Sequence, residues 1–192
     1  MANTDRPNGF TPVKTLSGAP WTSLVRAIQP GTDDMFYGDP ISLSSGVAVQ
    51  MAVEGECLGV MIGVGKVDAG GAAGNPAAFD PTNLEKKFFD TSADVEADYR
   101  IFYVPAEDVI FEAQFDDTED IVIGEAYDLL ATDGNQTTGR SKMEINGDAK
   151  TNDGDVVVVD FPQGPGYDTA SGVANKRVYV RFVDTEYAAP IA

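Results

Sequence analysis

Apolar and polar positions alternate along this chain in short runs, each closed by a turn signal, which is the pattern of strands half-buried against a core. Ser23-Leu24-Val25-Arg26-Ala27-Ile28 alternates ahead of Pro30-Gly31, and Ile41-Ser42-Leu43 alternates again. The apolar run 47–53 meets Glu54-Gly55-Glu56 and then a second run over 58–64. That order predicts a hairpin with a tight connection, and the glycines of its second strand predict bulges or a close backbone approach. Further strands are expected over 99–104, 109–115, 121–123, 127–130, 142–145, 156–161 and 177–183. No stretch sustains a 3.6-residue period and no repeat is visible. About nine to eleven short strands predict an all-β fold, a β-sandwich or partly closed β-barrel with long loops.

Two stretches break the pattern. The first runs from Asn8-Gly9-Phe10-Thr11-Pro12-Val13 through Leu16-Ser17-Gly18-Ala19-Pro20-Trp21 to Tyr37-Gly38-Asp39-Pro40. Prolines and turn formers keep it from being a helix, so it is expected to run extended. It also carries Phe10, Val13, Leu16 and the chain's only Trp, each large apolar side chain worth roughly 1.5–3 kcal/mol when buried. Such a segment must lie on something, either its own domain or another chain. The expected organisation is an extended N-terminal arm over 1–40 and a β-rich body over 41–192. The second break is an insertion near 68–98, expected to be flexible because Ala69-Gly70-Gly71-Ala72-Ala73-Gly74-Asn75-Pro76 has no strand signal. Asp80-Pro81 could cap and open a short helix inside it.

Composition removes most chemistry. The chain has 192 residues, no His and one Cys, Cys57. Without His there is no His-based triad, no His-containing zinc site and no ordinary neutral-pH general base. One Cys excludes Cys-rich metal centres and an intramolecular disulfide, and Cys57 is expected to be a small buried residue. Gly63-Val64-Gly65-Lys66-Val67 fails as a phosphate loop, since the earlier Gly is missing and Val67 stands where Ser or Thr is needed. Asp148 to Asp155 fails as an EF-hand loop, because Lys150 falls on a ligand position and Val159 where the bidentate Glu belongs. A looser calcium site there or at Asp116–Asp120 stays open beside the reading as solvated turns. No catalytic residue, metal ligand or cofactor is assigned, and the chain is not expected to be an enzyme.

The net charge is −18, and it is uneven. Residues 1–30 hold Arg6, Lys14 and Arg26 against Asp5, so the rest of the chain is the acidic part. Nucleic acid and anionic membranes, which are bound through Lys and Arg, are not expected partners. No run is long enough to span a bilayer as a helix, and no apolar leader marks secretion. The charge reads either as a solvated surface or as an acidic body facing solvent while the nearly neutral arm docks.

The motifs of the first forty residues resemble those of the head decoration (cement) proteins of tailed phages. The correspondence rests on Pro7-Asn8-Gly9-Phe10-Thr11-Pro12-Val13, Gly18-Ala19-Pro20-Trp21 and the Gly38-Asp39 turn. Weaker echoes are the 109–114 strand Val-Ile-Phe-Glu-Ala-Gln and Gly139-Arg140-Ser141-Lys142-Met143-Glu144-Ile145. The resemblance implies a structural protein on the exterior of the virion, made in the host cytoplasm. It would bind the major capsid protein and tie neighbouring capsid subunits together. A homotrimer is implied, with a dimer as the alternative. The contact residues would be Arg6, Phe10, Pro12, Val13, Lys14, Pro20 and Trp21. The competing reading is a β-sandwich module that binds carbohydrate or a host surface. An exposed row of aromatics, drawn from Tyr99, Phe102, Tyr103, Phe111 and Phe115, would favour it, although their alternation on strands places them in a core.

Overall fold

A computed structural model describes residues 3–66, 86–118, 120–151, 153–164 and 167–187. The chain is all-β, as the alternating pattern predicts, and is built as two large antiparallel sheets and a two-stranded ribbon. The first sheet holds β1 (Thr11–Thr15), β9 (Val109–Gln114), β13 (Arg177–Phe182), β12 (Val156–Asp160), β10 (Ala126–Leu130) and β11 (Glu144–Thr151), in that spatial order. The second holds β2 (Leu24–Ala27), β8 (Tyr99–Pro105), β6 (Gly59–Lys66), β4 (Pro40–Ser44) and β5 (Val47–Gln50). The ribbon pairs β3 (Met35–Phe36) with β7 (Phe88–Phe89). The sheets do not close into a barrel, and the architecture is that of a β-sandwich.

The two-residue period explains how one sheet serves two cores. On β6, Val60 faces one apolar cluster and Met61 the other; on β8, Val104 and Tyr103 divide in the same way. The larger cluster is filled by the inner residues of the first sheet, including Phe111, Phe115, Tyr127, Val156, Val180 and Phe182. The smaller one lies on the other side of the second sheet and holds Met35, Ile41, Leu58, Phe89, Ile101 and Tyr103. The second sheet therefore needs apolar residues on both of its faces, which is why β6 reads as a nearly continuous apolar run. A bulge between Met61 and Gly63 fits the expectation for that glycine-bearing strand.

The expected hairpin between 47–53 and 58–64 does not form. β5 folds back on β4 instead, and β6 pairs with β4 and β8. The reason is a two-residue turn at Ser45 and Gly46, with φ of 52° and 83°, which is the backbone demanded by the tightest hairpins. The segment 121–123 is a loop rather than a strand. Turn residues on both sides cut it to three positions, and Val122 and Ile123 are exposed. The strand expected over 142–145 starts two residues later and continues to Thr151.

The insertion is not loose throughout. Within 86–98 the chain forms β7 and a single 3-10 turn (Glu96–Asp98), and Phe89 is buried against Tyr99 with ring centroids 6.0 Å apart. The glycine-rich run 69–76 and the helix start at Asp80 lie outside the described residues. Cys57 is buried, as expected. Its N–H donates to the Asp184 carbonyl at 2.9 Å and its carbonyl accepts from the Glu186 N–H at 3.1 Å, so it holds the segment after β13.

Residue 40 does not divide an arm from a body. β1 is an edge strand of the first sheet and β2 an edge strand of the second, so the first forty residues contribute to both. β1 and β2 cover the outer sides of β9 and β8 and become the edge strands in their place.

Candidate docking surface

The segment splits into a structural half and an exposed half. In the structural half, Gly9 adopts φ +65° and Gly38 φ +96°, and the Phe10 N–H donates to the Gly38 carbonyl at 2.8 Å. A Cβ on Gly9 would lie 2.4 Å from the Gly38 carbonyl oxygen and 2.5 Å from the Ser141 Cβ, so only glycine fits this crossing. The crossing delivers Phe10 into the larger core, fully buried, with its ring 5.2 Å from that of Phe182. Phe10 is therefore not available to a partner in this fold. Its expected role as a contact residue is corrected to that of a core residue, because the Gly9 and Gly38 backbones turn it inward.

The neighbouring Asp39 is fully buried and accepts from the Phe36 N–H at 2.8 Å and from the Gln50 side-chain amide at 3.2 Å. Burial pushes its carboxyl up to about 6, against hydrogen bonding from Ser141, Phe36 and Gln50 that only partly offsets the loss of water. This carboxylate serves the turn that receives Phe10.

From Val13 onward the segment turns outward. A register shift between Pro12 and Lys14 leaves Val13 exposed at the edge of β1, while Pro12 stays half-buried. Lys14 is exposed and lies over the Tyr179 ring at 5.7 Å, and Arg6 is also exposed. Residues 16–23 then strap over the turn between β8 and β9, joining the edge of one sheet to the edge of the other. The Leu16 N–H donates to the Asp108 carbonyl at 2.8 Å and the Ser17 hydroxyl to the Asp108 carboxylate at 2.6 Å. The Thr15 hydroxyl donates to the Ala19 carbonyl and fixes the bend at Gly18, where φ is +76°.

Beside the exposed Ser17, Thr22 and Ser23, the strap and its two ends present large apolar side chains. Val13 is 39% exposed, Leu16 52%, Trp21 40% and Leu24 42%, and Pro20 is exposed between them. Exposed single apolar residues are ordinary, but four large ones close together in sequence on an ordered segment are a concentration that suits an interaction site. Leu16 and Leu24, exposed on the same segment, are not among the contact residues expected from the sequence. Leu16 stands beside a turn, and Leu24 reads as the first residue of an alternating strand, so neither signals exposure until the edge position of β2 is known.

The chemistry-bearing alternatives find little here. Among the described residues no group of three or more His, Cys, Asp or Glu side chains is arranged to hold a metal ion. The Asp155 carboxylate accepts from the Glu54 and Leu129 N–H groups, both at 2.8 Å, which makes it a brace between β10 and the loop after β5. Tyr99, Tyr103, Phe111 and Phe115 are buried and Phe102 is half-buried on the second sheet, so these residues do not make an exposed aromatic row. No helix among the described residues is long and apolar enough to cross a membrane. Comparison of the chain with protein-family models, with curated proteins and with solved structures found no match.

Proposed function

We propose that this chain is a capsid decoration protein that docks on the exterior of a phage head and ties neighbouring major capsid subunits together. The observation that carries the reading is the exposed apolar strap of Val13, Leu16, Pro20, Trp21 and Leu24, held in place on an otherwise acidic all-β body. A protein that reinforces a shell needs a rigid surface patch and no catalytic group. Because the strap is hydrogen-bonded to the β8–β9 turn and flanked by two sheet edges, most of its ordering cost falls on folding rather than on docking. Lys14, next to Val13 on β1, and Arg6, whose backbone N–H donates to the Gln114 side chain at the opposite end of β9, meet acidic groups of the partner, while the −18 charge keeps the decorated surface soluble.

Self-association to a homotrimer belongs to the same reading. The far edge of the first sheet, β11, is the strand that a sister subunit would cover. Binding of one strap is modest, and several straps acting together supply avidity.

The test uses undecorated heads assembled from the major capsid protein encoded in the same genome. The reading expects saturable co-sedimentation of the chain with those heads and a higher temperature for their rupture. Heads that neither bind the chain nor gain resistance would contradict it.

A further inference from the structure

The segment 133–140 lies along the β3–β7 ribbon and has opposite charge on its two flanks. It is fixed at both ends of the ribbon: the Gln136 side-chain amide donates to the Asp34 carboxylate at 3.1 Å, and the Lys87 ammonium donates to the Thr137 carbonyl at 3.3 Å. The Tyr37 N–H donates to the Gly139 carbonyl at 3.0 Å and the Tyr37 carbonyl accepts from the Ser141 N–H at 2.9 Å, so folding alone orders the segment. One flank is a pocket of about 200 Å³ whose charged lining residues are Lys86, Lys87 and Arg140, with no acid among them. The other is a pocket of about 320 Å³ whose charged lining residues are Asp33, Asp34 and Asp133, with no base among them. Lys86 is paired with Asp94. Lys87, Arg140, Asp33 and Asp133 are exposed and have no ion-pair partner among the described residues. In a chain with 31 acidic residues against 13 Lys and Arg, three bases around one pocket without an acid are a local excess of the scarcer charge.

We propose that this face is a contact between copies of the chain, in which the basic flank of one copy receives the Asp33 and Asp133 carboxylates of the next. The inference rests on the self-association reading and assigns its surface. The charges select a second copy as the partner, because the two flanks complement each other and neither is satisfied within one chain. Asp33 and Asp34 precede Met35 at one end of the ribbon, while Tyr37 and Lys87 follow the Phe36–Phe88 pair at the other. With the segment bonded to both ends, a copy cannot fold its acidic flank into its own basic pocket. Arg140 lies over the Tyr37 ring at 4.7 Å, which braces its N–H fork for a carboxylate. A second copy covering the pockets removes water from these pairs and lifts them above the small worth of an exposed ion pair. Around a threefold axis each copy turns its basic flank to one neighbour and its acidic flank to the other, the head-to-tail contact that closes a ring. The segment leads directly into β11, so the contact is continuous with the strand that self-association covers.

Charge swapping in the full chain, read by analytical ultracentrifugation, tests the contact. The unaltered chain should associate as its concentration rises, and less so in 1 M salt, where screening acts over about 3 Å. Lys87→Glu with Arg140→Glu should weaken association at least about tenfold, and so should Asp33→Lys with Asp133→Lys. The second pair is the sharper test. Each of its changes adds two positive charges and the net charge goes from −18 to −14, which relieves general repulsion, so only loss of a specific contact weakens association. The chain carrying all four changes should regain association, a recovery that a purely structural role of these residues does not give. Where that chain fails to fold, an equal mixture of the two pair variants should associate, because each offers the flank that the other now complements. A pair variant that associates as the unaltered chain does, or no recovery in either the fourfold chain or the mixture, would overturn the inference and leave self-association standing. An unaltered chain that stays monomeric at its highest soluble concentration would overturn self-association and this contact together, and head binding would then be judged by co-sedimentation alone.

Discussion

Phe10 and Trp21 sit in the same extended segment and look alike in sequence, yet one is fully buried and the other is 40% exposed. The difference lies in the backbone around each. Gly9 and Gly38 cross at a distance no side chain tolerates and turn Phe10 into the larger core, whereas the bulge after Pro12 and the bend at Gly18 lift the strap off the sheets. The local backbone thus decides whether an aromatic residue of this segment is packed into the chain's own core or left at the surface.

The sharpest way to break this distinction is to truncate both rings separately. Phe10→Ala is expected to cost about 3–5 kcal/mol, since it empties a fully packed site beside Phe182 and Phe111. For a chain of this size that corresponds to a fall of roughly 6–20 °C in melting temperature by calorimetry. Trp21→Ala should cost less than about 1 kcal/mol, as befits an exposed residue on an edge. Equal losses would erase the difference between the two halves.

Gly9→Ala tests the cause of the burial. The added methyl meets the Gly38 carbonyl and Ser141, and φ of +65° is itself unfavourable for alanine. A loss of about 2–3 kcal/mol is expected by chemical denaturation. The matching change on the strap, Gly18→Ala, has nothing within 4 Å of its new Cβ and only its φ of +76° against it, so about 1 kcal/mol is expected.

A smaller effect is expected from pH. Asp39 carries a carboxyl raised by burial to about 6 in the folded chain. Burial likewise raises Asp155, Glu144 and Asp128. A raised folded value means that the native state holds the proton more tightly than the unfolded chain does. The contribution of Asp39 is therefore fully present below about pH 4 and is lost as pH rises through 6. The chain should accordingly be more stable at pH 5 than at pH 7.5, by about 1 kcal/mol from this group. Asp39→Asn should flatten the slope over that interval, and a slope unchanged by the substitution would show that Asp39 does not titrate there.

The all-β fold was legible because its strands alternate and its turns are punctuated by Gly, Pro and Asx residues. The pairing of β5 was not, because nothing in Ser44-Ser45-Gly46-Val47 announces that Ser45 takes a positive φ and closes a tighter hairpin than the Glu54-Gly55-Glu56 turn. The site was legible in part. Val13, Pro20 and Trp21 are exposed as a contact surface requires, whereas the burial of Phe10 depends on the meeting of Gly9 with Gly38, residues far apart in the chain. Asp108 reads as part of a polar connection in sequence. Its bonds to Leu16 and Ser17 follow only from the strap lying across that turn, a long-range contact that local pattern does not encode.

The central claim is that the exposed residues around the strap dock while Phe10 and the Gly9–Gly38 crossing serve only the fold. It is tested most directly by measuring, on the same undecorated heads, the binding of a Leu16→Ser, Trp21→Ala double variant whose melting temperature has first been compared with that of the unaltered chain. The account predicts a melting temperature within a few degrees of the unaltered chain and binding reduced at least a hundredfold. Undiminished binding by the folded double variant would contradict it.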